Sequence, residues 1–74
     1  MRMVEDALLP VQKALQALPT FLPAMYDHVF IYVLLNDRNA AEYTLEQLRL
    51  VVKDFENDHN AVQLEGQVNS MLWK

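Results

Sequence analysis

The segment from Phe21 to Leu35 constrains the fold of this 74-residue chain more than any other feature. Its sequence, FLPAMYDHVFIYVLL, contains only two ionisable acid or imidazole side chains, Asp27 and His28. If the segment is helical, apolar residues surround its whole circumference, and such a helix has to be buried on nearly every side. A short chain can cover it only in part, because small domains bury a smaller fraction of their surface. We therefore predict that another molecule covers the rest, either a second copy or a partner protein.

Composition favours a single folded domain spanning 1–74 and argues against several functions. Hydrophobic residues make up 53% of the chain, which is too apolar for a disordered segment. The absence of Cys excludes a disulfide scaffold and thiolate zinc sites. A net charge of −4 disfavours binding to nucleic acid, which needs a surplus of Lys and Arg. The apolar run is shorter than the ~20 residues of a membrane span, so we expect a soluble, cytoplasmic protein with no membrane span.

The spacing of apolar residues predicts an all-α fold, a small helical bundle of three to four helices built on an antiparallel helical hairpin. Apolar residues recur in steps of four and three, which places them on one stripe of each helix. The predicted helices cover approximately 4–18, 21–35, 40–56 and 60–72. Pro10 interrupts the first stripe, and a proline inside a helix costs about 3 kcal/mol. We therefore predict that the first helix proper begins near Leu9, with Pro10 in its first turn.

The second helix has a competing interpretation as a strand. Thr20 is a suitable N-cap, and Pro23 suits the first turn. The stretch Val29–Leu35, however, is rich in β-branched and aromatic residues, which favour strands. We favour the helix, because no other segment alternates with period two and a lone strand would have no partner.

The third helix is predicted to begin at Asn39, with Glu42 completing a capping box. Glu46 and Arg49 are expected to form a surface pair on it. Beyond Phe55 two interpretations stay open. The third helix continues unbroken to the C-terminus, or a break near Asp58 starts a fourth helix, which we favour.

Candidate chemical sites are few. The acids from Asp54 to Glu65 resemble a calcium-binding EF-hand loop in their spacing, but His59 stands where that loop needs glycine. We interpret this region as a solvated acidic helix end, and His28, one turn from Tyr32, as a structural residue. Without Cys, with one Ser and with one Gly, the chain offers neither a nucleophilic constellation nor a phosphate-binding loop. We therefore predict that it is not an enzyme and has no cofactor, metal or small-molecule substrate.

Apolar and aromatic residues supply the candidate partner-binding set, since such residues dominate protein interfaces. The candidates are Met25, Phe30, Ile31, Leu35 and Trp73. Core positions are the favoured interpretation for Met25 and Phe30, whereas Ile31 and Leu35 represent a face of the second helix left uncovered by the others. The fourth helix would remove that face if it folded back over it.

The function indicated is a small helical protein–protein interaction module that buries an apolar helix against a partner protein. An adaptor, a secretion-type co-chaperone or an inhibitor would each fit. The chain is similar in size, acidity and apolar content to small helical secretion chaperones. The alternative is a self-contained homodimeric bundle with a structural or regulatory role, in which the partner is a second copy.

Overall fold

A computed structural model describes residues 2–71, and within them the side chains from residue 6 onward. This part of the chain forms four α-helices and one short 3-10 helix, without a strand. The elements are α1 (Arg2–Ala17), α2 (Leu22–Leu34), α3 (Arg38–Val51), a 3-10 turn (Phe55–Asn57) and α4 (His59–Asn69). The prediction of a small all-α bundle is therefore confirmed, and the segment Val29–Leu34 is helical rather than extended.

Helix α1 begins at Arg2 and runs through Pro10, so the predicted start near Leu9 is wrong. Pro10 lacks the N–H that would bond to the carbonyl of Asp6. Both residues are exposed, so water can satisfy the freed carbonyl. The apolar stripe continues on either side through Leu8 and Val11, which are half-buried. Packing of this stripe outweighs the local penalty of the proline.

Helix α2 begins without a side-chain cap. Phe21 occupies the N-cap position in an extended conformation, so the prediction that Thr20 is the cap is wrong, whereas Pro23 lies in the first turn as predicted. At the other end Asn36 adopts a positive φ of 56°. The amides of Asn36 and Asp37 donate to the carbonyls of Val33 and Tyr32, respectively. This arrangement is a Schellman motif, in which asparagine tolerates the left-handed conformation.

Helix α3 begins two residues earlier than the predicted cap at Asn39 would allow. Asp37 is the N-cap, and its Oδ1 accepts a hydrogen bond of 3.2 Å from the amide of Ala40, so Asn39 lies inside the helix. Aspartate and asparagine cap about equally well, and Asp37 comes first after the Schellman turn. Arg49 pairs with Glu65 of α4 rather than with Glu46.

The helical conformation is interrupted between α3 and α4, as favoured from the sequence. Helix α3 ends at Val51, before the predicted end at 56, and the 3-10 turn then returns Phe55 to the core at 6% exposure. Asp58 caps α4 by accepting a hydrogen bond from the amide of Ala61. Arg38 donates to the carbonyl of Met71 at 2.5 Å, which ties the start of α3 to the residues that follow α4.

Helix α2 occupies the centre of the molecule. It packs against α1, α3 and α4, and α3 also packs against α4, whereas α1 makes no extensive contact with α3 or α4. The main core includes Met25, Val29, Ala41, Leu45, Leu48, Phe55, Ala61, Leu64 and Val68. Helices α2 and α3 are joined by the short connection 35–37, and their antiparallel direction stays a prediction.

Candidate interaction surface

The structure distributes the five predicted partner-binding residues between the interior and the surface. Met25 and Ile31 are buried, each at 6% exposure, and Leu35 is half-buried. Phe30 keeps 42% of its surface exposed. Trp73 lies outside the described residues. The prediction that Ile31 lies on an uncovered face of α2 is therefore wrong. The core interpretation is correct for Met25 and wrong for Phe30, the one clearly exposed residue of the described four.

Ile31 is buried on a side of α2 that lies outside the main core cluster. Ala24 and Ile31 are seven residues apart, which places them on one stripe of α2, and both are buried outside the main core cluster. A first helix beginning near Leu9 would cover less of α2 than one beginning at Arg2. Helix α4 covers a further part of α2. The chain thus buries more of the apolar surface of α2 than its length suggests.

The large hydrophobic side chains with the highest exposed fractions lie instead on α3. They stand beside a groove of about 320 Å³. Its walls are α1 with the turn that follows it and α3, and α2 forms its floor. We call it the α1–α3 groove. It is lined by Leu15, Pro19, Thr20, Met25, His28, Tyr43, Thr44, Gln47, Leu50 and Val51. None of these residues is a carboxylate, a lysine or an arginine.

Two side chains form an apolar ridge along the α3 wall of this groove. Leu50 is 73% exposed and Tyr43 is 67% exposed. They are seven residues apart and so point to the same side of α3, with the exposed residues Glu46 and Gln47 between them. Leu18, which precedes the groove residue Pro19, is also exposed. Neighbouring exposed apolar residues of this size are typical of interaction surfaces, whereas single ones are not informative.

His28 is the only imidazole in the groove lining. Its ring centroid lies 5.1 Å from that of Tyr32, and its Nε2 is buried without a hydrogen-bond partner. Burial lowers the pKa of His28 below its ordinary value, so the imidazole is neutral at pH 7. An unpaired buried polar atom is unfavourable by about 1–3 kcal/mol.

A second, shallower surface lies between α2 and α4. Phe30 and Leu34 are exposed there at 42% and 41%, and they face Gln63 and Gln67 of α4. The Oε1 atom of Gln67 is buried without a partner. Asp27 lines the same side, which makes this surface more polar than the α1–α3 groove.

Tyr26 joins α2 to the beginning of α4. Its hydroxyl donates a hydrogen bond of 2.5 Å to Oδ2 of Asp58, the residue that caps α4. This bond, followed by the one from the amide of Ala61, lowers the pKa of Asp58. Burial, followed by the bond to Asp58 and its charge, raises the pKa of Tyr26 to about 12. The hydrogen bond between Tyr26 and Asp58 holds the segment between α3 and α4 against α2.

We expect Tyr26→Phe to change how stability depends on acid. Because the folded pKa of Asp58 is lowered, the stability it contributes is present above about pH 3.9, its ordinary pKa, and is lost as pH falls through the lowered value. The variant should melt a few degrees lower at pH 7 and should lose less stability below pH 4. Thermal melts of both proteins from pH 2 to 7 measure this difference. Parallel curves would show that the hydrogen bond does not couple to the carboxylate.

The acidic segment from Asp54 to Glu65 uses its carboxylates in separate contacts. Asp54 accepts two hydrogen bonds from the side-chain amide of Asn57, Asp58 caps α4, and Glu65 pairs with Arg49. Within the described part of the chain, His, Asp and Glu do not gather in groups of three that could hold a metal ion. None of the helices in residues 2–71 has the length and apolarity that a membrane span requires.

Comparisons of the chain with protein-family models, curated proteins and solved structures find no match. Function therefore has to be inferred from the chain's own surface. Sequence reasoning missed Tyr43 and Leu50, the two residues that dominate the α1–α3 groove. Both residues lie off the buried stripe of Ala41, Leu45 and Leu48, but that position alone does not distinguish a binding residue from an ordinary surface residue.

Proposed function

We propose that this chain is a helical protein–protein interaction module whose α1–α3 groove receives an apolar helical segment of a partner protein. The observation that carries the proposal is the ridge of Tyr43 and Leu50, at 67% and 73% exposure, beside an uncharged groove. A role as an adaptor, a co-chaperone or an inhibitor fits such a module equally well.

The arrangement of the helices supports a helical occupant. Helices α1 and α3 both pack on α2 without extensive contact between them, and the groove lies between α3 and the C-terminal end of α1. An amphipathic helix binds such a groove through apolar residues at positions i, i+3, i+4 and i+7. Each large apolar side chain that becomes fully buried contributes about 1.5–3 kcal/mol. The ridge residues Tyr43 and Leu50 supply two such contacts from this chain.

The polar groups of the groove support a protein partner over a small molecule. A small-molecule site needs several polar groups that converge on the ligand. The hydroxyl of Thr44 already donates to the carbonyls of Ala40 and Ala41, and Nε2 of His28 is buried. The other polar side chains of the lining are those of Thr20, Tyr43 and Gln47. The neutral groove and the net charge of −4 also favour an uncharged apolar stripe over a polyanion.

Photo-crosslinking in cells tests the proposal. A benzophenone amino acid at position 50 should form a covalent adduct with another polypeptide, because this position would lie inside the complex. The same amino acid at Leu9, an exposed residue of α1 at 57%, is the matched control and should form little or none. Equal yields at the two positions, or no protein adduct at position 50, would contradict the proposal.

A further inference from the structure

We propose that His28 makes the docking of α1 on α2 sensitive to acid. When the imidazole becomes protonated, α1 separates from α2, and the α1–α3 groove loses one of its walls. The groove thus keeps its described form near neutral pH and opens in mild acid. This inference goes beyond the proposed function, because the movement of α1 can be measured whether or not the groove binds a partner.

His28 lies on the side of α2 that α1 covers. Ala24, His28 and Ile31 occupy positions i, i+4 and i+7 of α2, which places them on one stripe. Ala24 and Ile31 are buried, but neither belongs to the main core cluster, whose members come from α2, α3, the 3-10 turn and α4. Helix α1 is the remaining helix that packs on α2, and its residue Leu15 lines the same groove as His28. The imidazole is therefore placed where α1 meets α2.

The surroundings of His28 suit a neutral imidazole and not a charged one. Its Nε2 is buried and makes no hydrogen bond within the described part of the chain. The ring of Tyr32, with its centroid 5.1 Å away, provides packing on one side. A buried cation without a partner is far more unfavourable than a buried neutral group. Protonated His28 is therefore stable only where its ring reaches water.

The charged groups around His28 do not offer a partner for the imidazolium. Helix α1 carries Asp6 and Lys13 among its described side chains, and both are exposed. The α3 group that can ionise in the groove is Tyr43, and none of the described α4 residues belongs to the lining. Asp27, the neighbour of His28 on α2, lines the α2–α4 surface instead. A docked α1 therefore leaves the imidazolium without a carboxylate.

Helix α1 is the element that can move away from His28. It packs on α2 without extensive contact with α3 or α4, whereas α3 and α4 pack on α2 and on each other. Each described side chain of α1 is exposed or half-buried, and Pro10 removes one hydrogen bond inside the helix. Local opening occurs in segments with few buried contacts. Separation of α1 exposes His28 to water while the core between α2, α3 and α4 stays closed.

The direction of the pH dependence follows from the two environments of His28. With α1 separated, the imidazole is in water, where the ordinary pKa of histidine is about 6.5. With α1 docked, burial holds the pKa of His28 below that value. The docked state is therefore fully favoured above pH 6.5 and loses stability as pH falls from 6.5 through the lowered pKa. Within that window the open fraction rises by up to about tenfold per pH unit, since each opening takes up one proton.

Hydrogen exchange of the unmodified chain at pH 7 and pH 5 tests the inference. Protection factors, which are corrected for the intrinsic effect of pH on exchange, should fall at least about fivefold for the amides of α1. Those of Leu45 and Leu48 in α3 should stay constant. Unchanged protection of α1 would overturn the inference, since the ring would then reach water with α1 still docked. Equal losses in α1 and α3 would also overturn it, because the whole domain would then be opening.

The two histidines of the chain provide a matched pair of variants. His28→Gln places an uncharged side chain on the stripe, so the protection of α1 should no longer depend on pH between 7 and 5. His59→Gln, the same substitution at an exposed residue of α4, should keep the full fall. Histidine is the residue type whose ordinary pKa lies in this range. Retention of the fall in His28→Gln, or its loss in His59→Gln, would assign the response to another group and reject the inference.

Discussion

Leu48→Ala should destabilise the protein by about 2–5 kcal/mol, the range for removing a buried leucine side chain. Leu48 is 0% exposed and lies in the core between α2, α3 and α4. The whole domain is expected to have a stability of about 4–11 kcal/mol by per-residue scaling. This single change therefore removes a large share of the free energy of unfolding. Chemical denaturation of the purified protein measures the loss.

Leu50→Ala is the matched control for this prediction. It makes the same substitution two residues away on the same helix, at a side chain that is 73% exposed. Its effect should stay within about 0.5 kcal/mol, as is usual for surface positions. Comparable losses in the two variants would mean that α3 is rotated about its axis relative to the described packing.

Phe55→Ala should destabilise the protein by about 3–5 kcal/mol, since the residue fills the core at 6% exposure. Phe55 begins the 3-10 turn between α3 and α4 and contacts both sides of the break. The guanidinium carbon of Arg49 lies 4.4 Å from its ring centroid, so a cation–π contact is lost as well. Because α4 packs on this turn, hydrogen exchange should show amides of α4 losing more protection than those of α1.

Phe30→Ala provides the comparison for Phe55→Ala. Phe30 is 42% exposed on the outer side of α2, and its removal should be unfavourable by about 0.5–1 kcal/mol. If Phe55→Ala were as mild as Phe30→Ala, the 3-10 turn would not be docked, and α4 would have no fixed attachment to α3.

Periodicity predicts the buried stripes of this chain well. The apolar steps of α3 and α4 correctly place Ala41, Leu45 and Leu48, and then Ala61, Leu64 and Val68, in the interior. The same pattern misleads at Phe55, which is buried but reaches the core from a 3-10 turn and not from a continuous α3. Spacing identifies which side chains are buried, but it cannot determine whether the backbone between them stays helical.

Helix boundaries and surface exposure depend on information that local patterns do not contain. Asp37 and Asn39 are both good caps, and the preceding turn at Asn36 decides between them. Helix α1 continues through Pro10 despite the local penalty, and Ile31 is buried by tertiary packing that its local sequence does not indicate. Leu50 is identifiable as a site only in the structure, since a single apolar residue off the buried stripe is common on ordinary protein surfaces.

Methyl NMR with a soluble paramagnetic probe tests the central claim most directly, because it reports on each leucine and valine separately. At low concentration the methyl groups of Leu50 and Leu9 should be broadened strongly, and those of Leu48, Val29 and Val68 should not. Weak broadening of Leu50 would contradict the exposed ridge on which the proposed function rests, and strong broadening of Leu48 would contradict the fold itself.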